Sequence, residues 1–178
     1  AYHSSFINDT ELQQIGGFAI LPLKTKFKGP SQISTVSDSS LDIIDESIEL
    51  FRANCFFRNF EIKGPADRTL IYGILFISDC LNKLYRAYCT KSDAVKLLNA
   101  FALESFAIPG DPKFPFNSLY TAPLNDSESD FLKQYITQFR QELALRLVDR
   151  VYLDSNDEKP NKWWLCFSKR KFMNKTLT

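Results

Sequence analysis

Residues 70–77 read Leu70-Ile71-Tyr72-Gly73-Ile74-Leu75-Phe76-Ile77, apolar on every side of any helix they form. A helix with no polar face must be enclosed by protein or by lipid. The run is far shorter than the roughly 20 residues a bilayer needs, so it is expected at the centre of a domain. Its flanks set the helix. Gly64-Pro65 supplies a break and then a residue suited to the first helical position, with Asp67 close behind at the positive helix end. Past Ser78 come Asp79, Asn82, Lys83 and Arg86, so the helix, about Pro65 to Tyr88, is expected to emerge into solvent there.

Four further helices follow from periodicity. From about Asp42 to Arg58, Ile44, Ile48, Phe51 and Cys55 step along one face. Ser39 with Asp42 reads as a capping box, and Asp42, Asp45 and Glu46 crowd the first turn. From Ser92 to about Phe106 the stripe is Val95, Leu98 and Ala102. From about Ser127 to Tyr152 it is Leu132, Tyr135 or Ile136, Phe139, Leu143, Leu147 and Val151. Glu142 and Arg146 are expected opposite that stripe as a four-residue-spaced pair. A short last helix fits Lys162 to Phe172.

The connections are read from breakers. Residues 107–126 hold Pro109, Pro112, Pro115 and Pro123, too many for regular structure, with Phe114, Phe116, Leu119 and Tyr120 available to pin the loop. Residues 1–41 read as a non-helical arm and linker, Ser-rich over 31–40. In an extended chain Lys24, Lys26 and Lys28 share one face, while Leu23, Thr25 and Phe27 share the other. The strip is either a solvated edge or a basic contact surface. The expected class is all-α: about five helices, the central one near 65–88 surrounded by the others, in one domain over 1–178. That domain divides into arm and linker (1–41), helical body (42–172) and tail (173–178).

Composition bounds the function. The chain of 178 residues is long enough for a core without disulfide or metal staples. Its four cysteines, Cys55, Cys80, Cys89 and Cys166, lack CxxC spacing and read as reduced thiols. Neither a signal peptide nor a membrane span is expected, and the N-x-S/T sequons at Asn8, Asn125 and Asn174 read as chance matches. The single histidine, His3, sits in an arm expected to be loose, which argues against a histidine-based triad. There is no phosphate loop, dinucleotide fingerprint or HExxH element, and no cluster of His and Cys for a metal. The reading is a binding protein with no cofactor, not an enzyme.

Charge singles out the C-terminus. Residues 159–178 carry Lys159, Lys162, Lys169, Arg170, Lys171 and Lys175 and no acid, whereas the rest holds sixteen basic and twenty-one acidic residues. The same segment contains both tryptophans, Trp163 and Trp164. Four readings stay open: aromatic core filling with solvated cations, a protein interface, a nucleic-acid site, or a membrane-surface helix. Near-neutral overall charge and the brevity of the patch weaken the last two.

Several long strings carry a resemblance: YHSSF (2–6), FKGP (27–30), ADRTLIYGILFISDCL (66–81), IPGDPKFPFNSLY (108–120), FRQELALRL (139–147) and KWWLCFSKRKFMNK (162–175). In order and over nearly the whole chain, these resemble subunit 3 of the actin-related protein 2/3 complex, in its fungal version. The resemblance implies an all-helical fold with one helix wrapped by the rest, and no catalytic residue to carry over. It implies a structural role in nucleating and branching actin filaments within a seven-subunit assembly. Partners would be actin-related protein 3, the other subunits and the mother filament, with no nucleic acid and no membrane insertion. The location implied is the cytoplasm, at cortical actin patches of a fungal cell. The expected partner surface comprises Lys24, Lys26, Lys28, Lys162, Trp163, Lys169, Arg170, Lys171 and Lys175. The alternative is a stand-alone module binding nucleic acid or anionic lipid through the basic-aromatic C-terminus.

Overall fold

The computed structural model describes residues 1–31 and 40–178. Most of the expected linker, with the Ser39 half of the expected capping box, lies outside them. The chain opens with a 3-10 turn, Ser5–Asn8, and a hairpin of two short strands, β1 (Gln14–Ile15) and β2 (Phe18–Ala19), with Gln14 opposite Ala19. Gly16 and Gly17 form its two-residue turn, both at positive φ (62° and 84°), as the tight hairpin turn that matches strand twist requires. Five helices follow: α1 (Ile43–Asn54), α2 (Pro65–Ala87), α3 (Lys91–Leu103), α4 (Asp126–Val151) and the single turn α5 (Lys162–Leu165). The fold is mainly α, as the periodicity predicts.

Helix α2 is the axis. It touches α1, α3, α4, α5 and β2, and from Leu70 to Leu81 it is buried without interruption. Each fully buried Leu, Ile or Phe contributes about 1.5–3 kcal/mol, so this run dominates the core. Gly73 sets the closest approach. A Cβ there would lie 2.3 Å from the Ser47 hydroxyl of α1, so glycine permits the two helices to cross.

Asp79 departs from expectation. It is buried, not solvated, beneath the returning C-terminal chain, where the Thr178 hydroxyl donates to it at 3.4 Å. Asn82 and Arg86 do face solvent.

Helix boundaries shift for identifiable reasons. The cap of α1 is formed by Asp42 with Asp45, each side chain taking the other's backbone N–H. The helix stops at Asn54 rather than Arg58, because the buried Asn54 amide is turned onto the backbone of Tyr2, at 2.8 and 2.9 Å. Helix α3 stops at Leu103 rather than Phe106. Its terminal carbonyls, of Phe101 and Ala102, accept from the Arg140 guanidinium at 2.7 and 3.1 Å. Arg140 is itself buried, held between the rings of Phe76 and Phe106 at 4.7 Å from each. A cation at a helix C-terminus meets the negative dipole end, which compensates its charge without an acid.

The arm is fixed rather than loose. Asp67 lies 2.7 Å from His3 Nδ1 and accepts from the N–H groups of Ser4 and Lys63 at 2.9 and 3.0 Å. Glu46 accepts from the Ser4 hydroxyl at 2.7 Å, the Ser5 N–H at 2.9 Å and the Ser5 hydroxyl. Further on, the Tyr135 hydroxyl bridges both backbone groups of Leu21, and Gln138 of α4 holds Phe27 and Ser31. The Glu142–Arg146 pair is not on a solvent face. Glu142 is buried, and Arg146 binds Asp42 at 2.7 Å, Asp45 at 3.0 Å and the Lys24 carbonyl, joining α4 to the start of α1. The proline loop is pinned as expected: Phe114, Phe116 and Tyr120 are buried.

Candidate partner-binding face

The C-terminal segment divides residue by residue into core and surface. Asn161 caps α5 by accepting the Trp163 N–H at 2.8 Å, and within that single turn the two tryptophans point opposite ways. Trp164 is 4% exposed and stacks on Phe51, with the Arg52 guanidinium 4.2 Å from its ring centre. Trp163 is 65% exposed, with the Lys162 ammonium 5.4 Å from its ring. The expected helix to Phe172 ends at Leu165, and the chain continues in turns that send Phe172 inward against Phe60 at 6.0 Å. Met173 and Asn174 sit at positive φ (52° and 59°), which turns the chain again. The core reading therefore holds for Trp164 and Phe172, while Trp163 is left at the surface.

Between the buried Ser168 and Phe172, the residues Lys169, Arg170 and Lys171 are all exposed. Two of them rest on aromatic rings of other elements. Lys169 stands 5.3 Å from the ring of Tyr85 on α2, and Arg170 stands 4.6 Å from the ring of Phe56, just after α1. Such contacts are worth about 0.5–1 kcal/mol at exposed sites, enough to bias a long side chain toward one position. Among the described residues, none of Lys162, Lys169, Arg170, Lys171 and Lys175 makes a salt bridge. Tyr85, Phe56 and Arg86 belong to this face, yet no sequence signal links them to a segment that lies far along the chain.

The lysine strip is elsewhere. Leu23 and Thr25 are buried and Phe27 is half-buried, while Lys26 and Lys28 are exposed, so the expected alternation holds. Lys24 departs from it, being half-buried with its ammonium on the Ser40 carbonyl and its N–H on Asp42. This strip adjoins the first residues of α1, whereas Arg170 adjoins its far end. At 1.5 Å per residue the 12 residues of α1 separate them by about 18 Å. The two basic features form two patches.

Among the described residues no group of three or more His, Cys, Asp or Glu is placed to hold a metal, and no helix is long and apolar enough to cross a membrane. Burial pushes the Cys55 thiol up to about 11, against the pull of Arg170. A thiol so raised is a poor nucleophile.

Comparison with known proteins supplies the context for this face. The P21-Arc family model, described as the ARP2/3 complex ARPC3 (21 kDa) subunit, matches residues 1–177. Actin-related protein 2/3 complex subunit 3 of Schizosaccharomyces pombe is 57% identical over 181 residues, covering 99% of this chain and 99% of its own length. The protein of the same name from Saccharomyces cerevisiae is 54% identical over 180 residues, again with 99% of both chains covered. That of Dictyostelium discoideum is 49% identical over 177 residues, at the same coverage. The chain belongs to the P21-Arc family, the subunit 3 family of the actin-related protein 2/3 complex.

Proposed function

We propose that this chain is a structural subunit that contributes to actin filament nucleation and branching by binding actin-related protein 3 and helping to seat the complex on a mother filament. Its family is one of complex subunits rather than enzymes. The reading places it in the cytoplasm, at cortical actin patches. The observation that supports it is the C-terminal segment, where exposed cations with no salt bridge among the described residues stand over exposed rings, Lys162 on Trp163, Lys169 on Tyr85 and Arg170 on Phe56. Arginine and large aromatics are enriched at protein interfaces, and a fixed positive patch steers and orients an acidic partner. Lys162, Trp163, Lys169, Arg170, Lys171 and Lys175 form the main contact. The Lys24–Lys28 strip is a second, smaller one, reduced to Lys26 and Lys28 because Lys24 is engaged within the chain.

The test is charge reversal at Lys169, Arg170 and Lys171 together. Incorporation into complex rebuilt from the remaining subunits is expected to weaken at least about tenfold at low salt, with branching reduced in parallel. The deficit is expected to shrink as salt rises, since exposed charges are screened within about 8–10 Å at physiological ionic strength. A triple variant that assembles and branches like the parent at every salt concentration would show that the face is only solvated. Co-purification of the chain with RNA or anionic lipid, in the absence of actin-related proteins, would count equally against the proposal.

A further inference from the structure

The exposed cations flank a cleft. Helix α2 and the returning chain at 168–171 enclose about 300 Å³, lined by Ser78, Asp79, Arg86, Lys169, Arg170 and Lys171 among others. Four of these six are cations and one is a carboxyl. The floor is unusual. Ser78 is more than nine-tenths buried, and its hydroxyl is the one buried side-chain polar atom, among the described residues, without a hydrogen-bond partner. That hydroxyl is itself covered by neighbouring atoms, so Ser78 gives the cleft a closed floor. The walls are held in place as well, Lys169 by the ring of Tyr85 and Arg170 by the ring of Phe56.

We propose that this cleft is a socket for one acidic side chain, aspartate or glutamate, of a partner protein, gripped between Arg86 and Arg170 with Lys169 and Lys171 beside them. The inference rests on the reading of the C-terminal face as an interface and names the contact that anchors it. Charge complementarity requires an anion with oxygen acceptors, and arginine forks fit a carboxylate with paired hydrogen bonds. Size restricts the occupant, because 300 Å³ is the lower bound of small-molecule pockets. The rim decides between a carboxylate on a protein and a free phosphate. Tyr85 and Phe56 are 47% and 56% exposed, and a protein partner covers such rings whereas an inorganic ion does not.

Asp79 adds a signature. Burial pushes its carboxyl up to about 6, although the Thr178 hydroxyl, Arg140, the Leu177 N–H and Lys83 all pull the other way. A second carboxylate entering beside it raises it further, so occupancy takes up a proton. Binding is therefore expected to tighten from pH 8 to pH 6, an effect that Asp79→Asn removes.

The experiment titrates labelled full-length chain into complex assembled without it. Arg86 is exposed on the last turn of α2, so its replacement leaves the core intact. Arg86→Met is expected to weaken binding about tenfold or more, with Arg86→Lys recovering little of it. Lys96→Met, which removes the same charge from an exposed position on α3, is expected to change binding less than about twofold. Equal losses for Arg86→Met and Lys96→Met would overturn the socket while leaving a charge-driven interface in place. No loss in these variants, nor in the triple reversal above, would overturn the interface as well. Inorganic phosphate binding the isolated chain tighter than about 0.1 mM, lost in Arg86→Met while subunit affinity is unmoved, would make the cleft a phosphate site and overturn the proposal.

Discussion

Two buried aspartates respond to acid in opposite directions. Burial alone would raise Asp42, but the bond from Arg146 and the N–H groups of Asp45 and Lys24 outweigh it, and the carboxyl lies below its ordinary range. Its contribution is present at neutral pH and is lost as pH falls through the folded value. Asp79 is the reverse. With the folded value near 6 and the ordinary one at 3.8, the folded protein holds a proton that the unfolded chain has released. Stability from this group therefore falls as pH rises between those values and stays lower above them. A shift of that size corresponds to about 3 kcal/mol. Asp79→Asn is expected to stabilise the protein by roughly 1–3 kcal/mol at pH 7.5 and hardly at all at pH 3.5. Urea unfolding at both pH values measures this, and an equal gain at both would refute it.

At the scale of elements, the α1–α2 crossing depends on the absence of a side chain at Gly73. Gly73→Ala gains about 1 kcal/mol of helix propensity. The new Cβ, however, would sit 2.3 Å from the Ser47 hydroxyl and 3.2 Å from the ring of Phe139. Overpacking of this kind costs typically about 1–3 kcal/mol, so a net loss of up to about 2 kcal/mol is expected. Ser47→Gly should reduce the cost of the alanine, because it removes the nearer obstacle. A double-mutant cycle by thermal unfolding tests the coupling, and additive effects would show that the crossing is not the constraint. The sequence places both residues on helices and the apolar run at the centre. It does not show Gly73 facing Ser47, because helical phase says which face is buried and not what lies across from it.

Over the whole molecule, Asp67 and Arg146 join parts that periodicity treats separately. Asp67 ties the arm to α2 through His3, Ser4 and Lys63, and Arg146 ties α4 to α1 and to the extended segment at Lys24. Asp67→Ala leaves the buried Ser4 N–H and the part-buried Lys63 N–H without their acceptor, and a buried group so orphaned costs about 1–3 kcal/mol. A loss of about 2–4 kcal/mol is expected, with at least tenfold faster hydrogen exchange over residues 2–8. Unchanged exchange there would show that the arm is held by its other contacts.

The amino-acid sequence alone determined what depends on local period and composition. The helices, the enclosed position of Leu70–Ile77, the pinning of the proline loop by its aromatics, and the positive character of the last twenty residues all follow from side chains close together in the chain. Only the tertiary structure decided which of Trp163 and Trp164 is covered, that Asp79 is buried, and that Arg86 lines one cleft with Lys169, Arg170 and Lys171. The first depends on how α5 packs against Phe51 and Arg52 of α1, and the other two on how the chain returns across α2 after α5. A residue's exposure is fixed by whatever packs over it, and here that cover comes from segments far along the chain, Thr178 over Asp79 and Phe51 against Trp164.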